Sequence, residues 1–113
     1  MTPEAFSRHC LSLPAATMNV QWQVDRVFKV GGKMFAVLGP NGHCSFKASE
    51  ITFEVLTEQG IGRPAPYLAR AKWLYFESTR ELPKNAKDLL REAHRLVAAK
   101  LTKAQKRELG LLP

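Results

Sequence analysis

The clearest hydrophobic pattern is a pair of β-rich runs around two glycines, Val27-Phe28-Lys29-Val30 and Lys33-Met34-Phe35-Ala36-Val37-Leu38 flanking Gly31-Gly32. Glycine accepts positive φ at both central positions, so the pair predicts a two-residue hairpin turn. That turn sets Val30 opposite Lys33, Phe28 opposite Phe35 and Arg26 opposite Val37. Upstream, Thr2-Pro3-Glu4 reads as a capped helix start, with Phe6, Cys10 and Leu13 as its apolar stripe and Leu13-Pro14 as its stop. Residues 15–19 read as a loop, and the alternation Val20-Gln21-Trp22-Gln23-Val24 predicts a short strand. Beyond the turn Gly39-Pro40-Asn41-Gly42, a strand from His43 to Ala48 places Cys44, Phe46 and Ala48 on one face.

Ser49-Glu50 caps a second helix, with a stripe of Ile51, Val55 and Leu56, Phe53 to one side, and Gly60 at its end. The stretch Gly62-Arg63-Pro64-Ala65-Pro66 suits an edge strand and leads into a second hairpin. Its predicted arms are Tyr67-Leu68-Ala69 and Trp73-Leu74-Tyr75-Phe76, with Arg70-Ala71-Lys72 at the tip. A third helix starts near Pro83 or at Asn85, whose cap would pair with Asp88, and carries Leu89, Leu90, Ala93, Leu96, Val97 and Leu101. Thr102 and Gln105 match a capping box for a short last helix ending at Gly110.

The order is α-β-β-β-β-α-β-β-α-α. It predicts one domain over residues 1–113 of the α+β class, an antiparallel sheet of about five to six strands covered on one face by helices. The other face is left exposed or partnered.

Charge adds a class of partner. The 113 residues hold 17 Lys and Arg against 10 Asp and Glu, a net charge of +7. Such a balance favours nucleic acid or an acidic partner, the plainer reading being charge for solubility. The N-terminus has no basic, apolar leader, and no run approaches a membrane span, so a cytoplasmic protein without a membrane partner is expected. Cys10 and Cys44, the only cysteines, read as reduced thiols.

Candidate binding residues collect at the hairpins. Lys29 and Lys33 mark the first, Arg70 and Lys72 the second, Arg63 lies on the approach, and Lys47 comes from a neighbouring strand. Trp73, Tyr75 and Trp22 interleave with them, giving cations for phosphate and rings for stacking. The competing reading makes Trp73 and Tyr75 core residues and the cations solvated tips. The densest basic tract is Lys84, Lys87, Arg91, Arg95, Lys100, Lys103, Lys106 and Arg107, which reads first as a solvated helix face. His9-Cys10 and His43-Cys44 lack the paired spacing of a structural zinc site, so no metal or cofactor is expected. His94 reads as a partly buried helix histidine. No G-x-S-x-G, phosphate loop or H-E-x-x-H occurs, and no catalytic residue is nominated; a non-enzyme is expected.

Several of these pieces occur together in one known family. They are Cys10-Leu11-Ser12-Leu13-Pro14, the hairpin from Val27 to Ala36, Phe46-Lys47, Pro64-Ala65-Pro66-Tyr67-Leu68 with Lys72-Trp73, and Leu96-Val97-Ala98-Ala99-Lys100-Leu101. In them the chain resembles the MmcQ/YjbR family of small bacterial proteins. The resemblance implies a fold similar to bacterial frataxin (CyaY-like), a DNA-binding role in which the two hairpins act as a double wing, and no established enzymatic activity. The chain departs from the family pattern at Ala15-Ala16-Thr17-Met18, which lacks an acidic run. It departs from frataxin in having only Glu4 as an acid on the first helix, too few oxygen ligands for an iron-donor role. The expectation is backbone-dominated, non-specific DNA contact through Lys29, Lys33, Lys47, Arg63, Arg70, Lys72 and Trp73. The alternative is a protein-interaction module docking a partner on the uncovered sheet face through Trp22, Trp73 or Tyr75. A third reading is a small-molecule pocket anchored by Lys47 or Arg63.

Overall fold

A computed structural model describes residues 1–112. Helix α1 (Pro3–Ser12) starts where the Thr2 hydroxyl accepts a hydrogen bond from the Ala5 amide at 3.0 Å, and stops at Leu13, extended before Pro14. Phe6 and Cys10 face the core from it. Strand β1 (Ala16–Gln21) follows almost at once, after a left-handed Ala15. The expected strand at Val20–Val24 is thus displaced towards the N-terminus. Residues 22–24 are instead the turn into β2 (Asp25–Val30), with Trp22 at φ 50° and Gln23 at φ 75°. The reason is that β1 is an edge strand with no buried residue, so burial imposes no alternation on it. Its place is set by pairing, Ala16 opposite Val30 and Met18 opposite Phe28.

The Gly31-Gly32 turn joins β2 to β3 (Lys33–Leu38) as expected, with φ of 58° and 79° and Val30 opposite Lys33. The expected register fails beyond it. A bulge leaves Lys29 opposite Met34 but Phe28 opposite Ala36, and Arg26 opposite Leu38. Phe35 is the extra residue. The bulge lets Phe35 and Ala36 both join the core beneath the helices. Phe28 packs edge-on against Phe6, centroids 6.0 Å apart, while Phe35 packs edge-on against His94 at 5.3 Å.

Strand β4 (Cys44–Lys47) lies beside β3 and buries Cys44 and Phe46. Helix α2 (Glu50–Glu58) is capped by Ser49 and ends at left-handed Gly60. Its buried stripe differs from the expected one. Phe53 and Leu56 pack on the core, whereas Ile51 is 77% exposed and Val55 is exposed. In so short a helix two apolar stripes compete, and the one bearing the aromatic ring is laid down.

The second hairpin also differs from expectation. Strand β5 is only Arg63–Pro64, paired with β6 (Trp73–Phe76), and residues 67–72 form a coiled loop, not a strand arm. Pro64 and Pro66 have no N–H to donate, so the ladder ends with the bond from the Ala65 amide to the Trp73 carbonyl at 2.9 Å. The loop then closes on itself through Leu68 N–H to Ala65 O (3.1 Å) and Trp73 N–H to Leu68 O (3.2 Å).

A 3-10 turn at Thr79–Glu81 precedes α3 (Ala86–Ala98), which buries Leu90, Ala93 and Val97. The cap expected from the Asn85 side chain is not formed. Helix α4 (Lys103–Glu108) carries the complete Thr102/Gln105 capping box.

The fold is α+β. All six strands are antiparallel, in the order β1-β2-β3-β4-β6-β5. The main core lies between the sheet and α1 and α3, with Phe53 and Leu56 of α2 at its margin. On the opposite face, Val27, Val37, Ala65 and Trp73 form a smaller core, partly roofed by Leu68 of the coiled loop. His94 is buried, its Nε2–H donating to the Pro14 carbonyl at 2.7 Å, which ties α3 to the end of α1. No helix among the described residues is long and apolar enough to cross a membrane.

Candidate functional site

The strand order decides which cations meet. The first hairpin turn, the end of β4 and the start of β6 lie at one end of the sheet, below the C-terminus of α3. Lys33 and Lys47 share a depression of about 170 Å³ there with Lys100, Met34 and Leu96. An adjoining depression of about 380 Å³ holds Lys47, Lys72 and Lys100, with Glu50 at its edge. Lys33, Lys47 and Lys72 are therefore brought together, and Lys100, read from the sequence only as part of a helical charge run, joins them. The Lys47 ammonium donates to the Ala71 carbonyl. Its pKa is held below the usual lysine value, first by burial and then by repulsion from Lys100 and Lys72, with Glu50 opposing. The Lys72 ammonium sits 5.2 Å over the Phe53 ring.

The other candidates are placed differently. Lys29 pairs with Met34 and Thr17 on the uncovered face of the sheet, one residue pair in from the turn. Arg70 is exposed in the coiled loop. Arg63 lies on the far edge strand, ion-paired with Glu77 and 5.2 Å from the centre of the Tyr75 ring, so its charge is already matched. Trp73 is 4% exposed and packed under the loop, leaving no ring face for a ligand.

The uncovered face also holds a groove of about 560 Å³. Met34, Val37, Ser45 and Tyr75 line it, with Trp22 on the β1–β2 turn and Tyr67 on the coiled loop as further lining residues. Asp25 and His43 add polar groups, and the His43 and Tyr75 rings lie 6.0 Å apart, tilted by 31°. Tyr67, Asp25 and His43 were missed as site residues. The first two sit in or beside loops that pattern reading treats as connectors, and only the strand order carries them to one place.

Both thiols are core groups. Burial is the main reason that the Cys44 pKa is pushed up to about 12 and that of Cys10 higher still. Among the described residues, no group of three or more His, Cys, Asp or Glu is placed to hold a metal ion.

A family model described as YjbR matches residues 11–96, from the end of α1 into α3. This chain belongs to the YjbR family. It is also similar to the crystal structure of Deinococcus radiodurans protein DR2400, described as a DUF419 domain. The two are 26% identical, with a TM-score of 0.85 over 98% of this chain and 89% of that one. No curated protein matches the chain. The YjbR match takes in the hairpin, Lys47, and the loop holding Arg70 and Lys72, while Lys100 lies just outside it.

Proposed function

We propose that this YjbR protein binds nucleic acid by its phosphate backbone, at the end of the sheet where Lys33, Lys47, Lys72 and Lys100 converge. The observation that supports the reading is that convergence. Lysines from β3, β4, the coiled loop and the turn after α3 line two adjoining depressions, and Glu50 is the one acid lining them. Like charges so close repel, and after burial, the main cause, repulsion from Lys100 and Lys72 helps to lower the pKa of Lys47. A bound phosphate relieves that repulsion and releases counterions. Lys29 and Arg70 extend the cationic surface, and the net charge of +7 adds long-range attraction. Binding of this kind positions a backbone without reading bases.

The test is fluorescence anisotropy with labelled oligonucleotides at about 50 and 200 mM salt. Four to six phosphate contacts predict an affinity loss of about 10²- to 10³-fold between those conditions. Replacing Lys33 and Lys100 by Glu should abolish binding. A control with the same charge change elsewhere, Arg8→Glu with Arg80→Glu, should retain most of it. Absence of binding at about 50 mM salt, or equal losses in both double variants, refutes the proposal.

The rival occupant is a protein partner on the uncovered sheet face, favoured by the exposed Trp22 and Tyr67 beside the groove.

A further inference from the structure

The groove on the uncovered face and the smaller lysine-lined depression at the end of the sheet share one lining residue, Met34. We infer that the uncovered face takes a single-stranded nucleic acid, its phosphates on the lysine end and its unstacked bases in the groove between Trp22 and Tyr67. The inference rests on the phosphate-binding reading and names the strand state that the site selects.

Two independent loops carry the argument. Trp22 and Tyr67 are both bulky residues held in the left-handed region, at φ 50° and 66°. Gln23 and Lys72 share that conformation in the same two loops, so the turns hold both rings in place on the surface. Both are also exposed, Trp22 by 59% and Tyr67 fully, so core packing does not account for their placement. Between them the floor crosses β2, β3, β4 and β6. Three strand spacings make that crossing about 14 Å, wide enough for two or three bases side by side. The Tyr75 and His43 rings on the floor add apolar faces.

Charge orients the ligand. Asp25 lies at the Trp22 end, opposite Gln21 at the foot of the turn, and Arg63, on the opposite edge strand, is already paired with Glu77. A phosphate is disfavoured beside Asp25, whereas an unpaired base N–H, such as the N3–H of thymine, can donate to its carboxylate. The free lysines lie at the other end. A duplex keeps its bases stacked inside and has no use for two exposed rings, but a single strand can stack on them.

The experiment compares labelled oligothymidylate of twelve nucleotides with a duplex of the same length, at about 100 mM salt. The single strand should bind more tightly. Trp22→Ala and Tyr67→Ala should each weaken single-strand binding at least fivefold, within the range for losing one stacked base, and leave duplex binding unchanged. Trp22→Phe should restore most of the affinity. Tryptophan fluorescence should be quenched by the oligothymidylate in the native protein and not in Trp22→Phe, where only buried Trp73 remains. If the lysine variants weaken binding while both aromatic variants match the native protein, phosphate contact stands and base stacking is refuted. Equal or tighter duplex binding likewise refutes it. If neither probe binds, both proposals fall, and a protein occupant becomes the reading to pursue.

Discussion

Gly31→Ala tests the contact that holds the site together. Gly31 and Gly32 both have positive φ, but only Gly31 lies against something: an added Cβ would stand 2.7 Å from both Cδ atoms of Leu101. Around Gly32 the same atom meets nothing within 4 Å. Alanine at either position incurs about 1–2 kcal/mol for the left-handed backbone, offset by about 0.4–1 kcal/mol from a stiffer unfolded chain. Gly32→Ala should therefore cost about 1 kcal/mol. Gly31→Ala adds overpacking against a buried leucine, about 1–3 kcal/mol more. Leu101→Ala alone should cost about 2–5 kcal/mol, as a buried leucine at the edge of the main core. In the double variant the clash is gone, so the two effects should fall short of their sum by about 1–2 kcal/mol, within the usual range for residues in contact. Urea denaturation of the four proteins measures this. Since Leu101 follows Lys100, and Lys33 stands beside the turn, Gly31→Ala should also weaken oligonucleotide binding more than Gly32→Ala does. Equal stabilities for the two glycine variants, or strict additivity with Leu101→Ala, would refute the clamp.

Two further outcomes follow from two buried thiols and a partly buried histidine. Cys10 and Cys44, with pKa values raised by burial, should resist thiol reagents at pH 8 in the native protein, and both should react at once in guanidinium; prompt labelling of the native state would contradict their place in the core. His9 donates through Nε2 to the Lys87 carbonyl, and burial, aided by the charges of Arg91 and Lys87 and opposed by that hydrogen bond and by Asp88, holds its pKa below 6.5. The unfolded chain then binds the extra proton more readily, so the stability contribution is complete above about pH 6.5 and is lost as pH falls through the folded value. His9→Gln should flatten the fall in urea stability between pH 7 and 5, and an unchanged slope would refute the assignment.

What could be read from the chain was local chemistry. Thr2, Ser49 and Thr102 each mark a helix start by a hydroxyl that satisfies a free amide, and each does so in the structure. Gly31-Gly32 marks its turn because only glycine sits easily at both positive φ angles. The errors arise where a partner distant in sequence makes the choice. The register past Lys29 depends on Phe6 and His94, which draw Phe28 and Phe35 to one face at the expense of direct pairing. Strand β1 has no buried face to leave a pattern, so Val20, Trp22 and Val24 mimicked an alternation they do not form. The loop after Pro66 could not be told from a strand arm, because its apolar residues roof a second small core that the pattern does not announce.

The same distinction governs the site. Lys33, Lys47 and Lys72 were legible as cations near turns, but their meeting depends on β4 lying between β3 and β6 while α2 and β5 intervene in the chain. Lys100 was legible only as one charge in a helical run, and it is the packing of α3 on β3 and β4, with Leu101 against Gly31, that places it beside the hairpin turn. Conversely, Trp73 has the composition of a stacking residue and the environment of a core one, whereas Tyr67, seven residues after a helix cap and between turn signals, is the ring left outside. An aromatic next to cations in sequence therefore carries less information here than an aromatic held at positive φ on a loop. Core burial can explain the first without any ligand. It does not explain the second, since Trp22 and Tyr67 are exposed, and the positive φ they share with Gln23 and Lys72 in the same two loops belongs to the turns that hold their rings out.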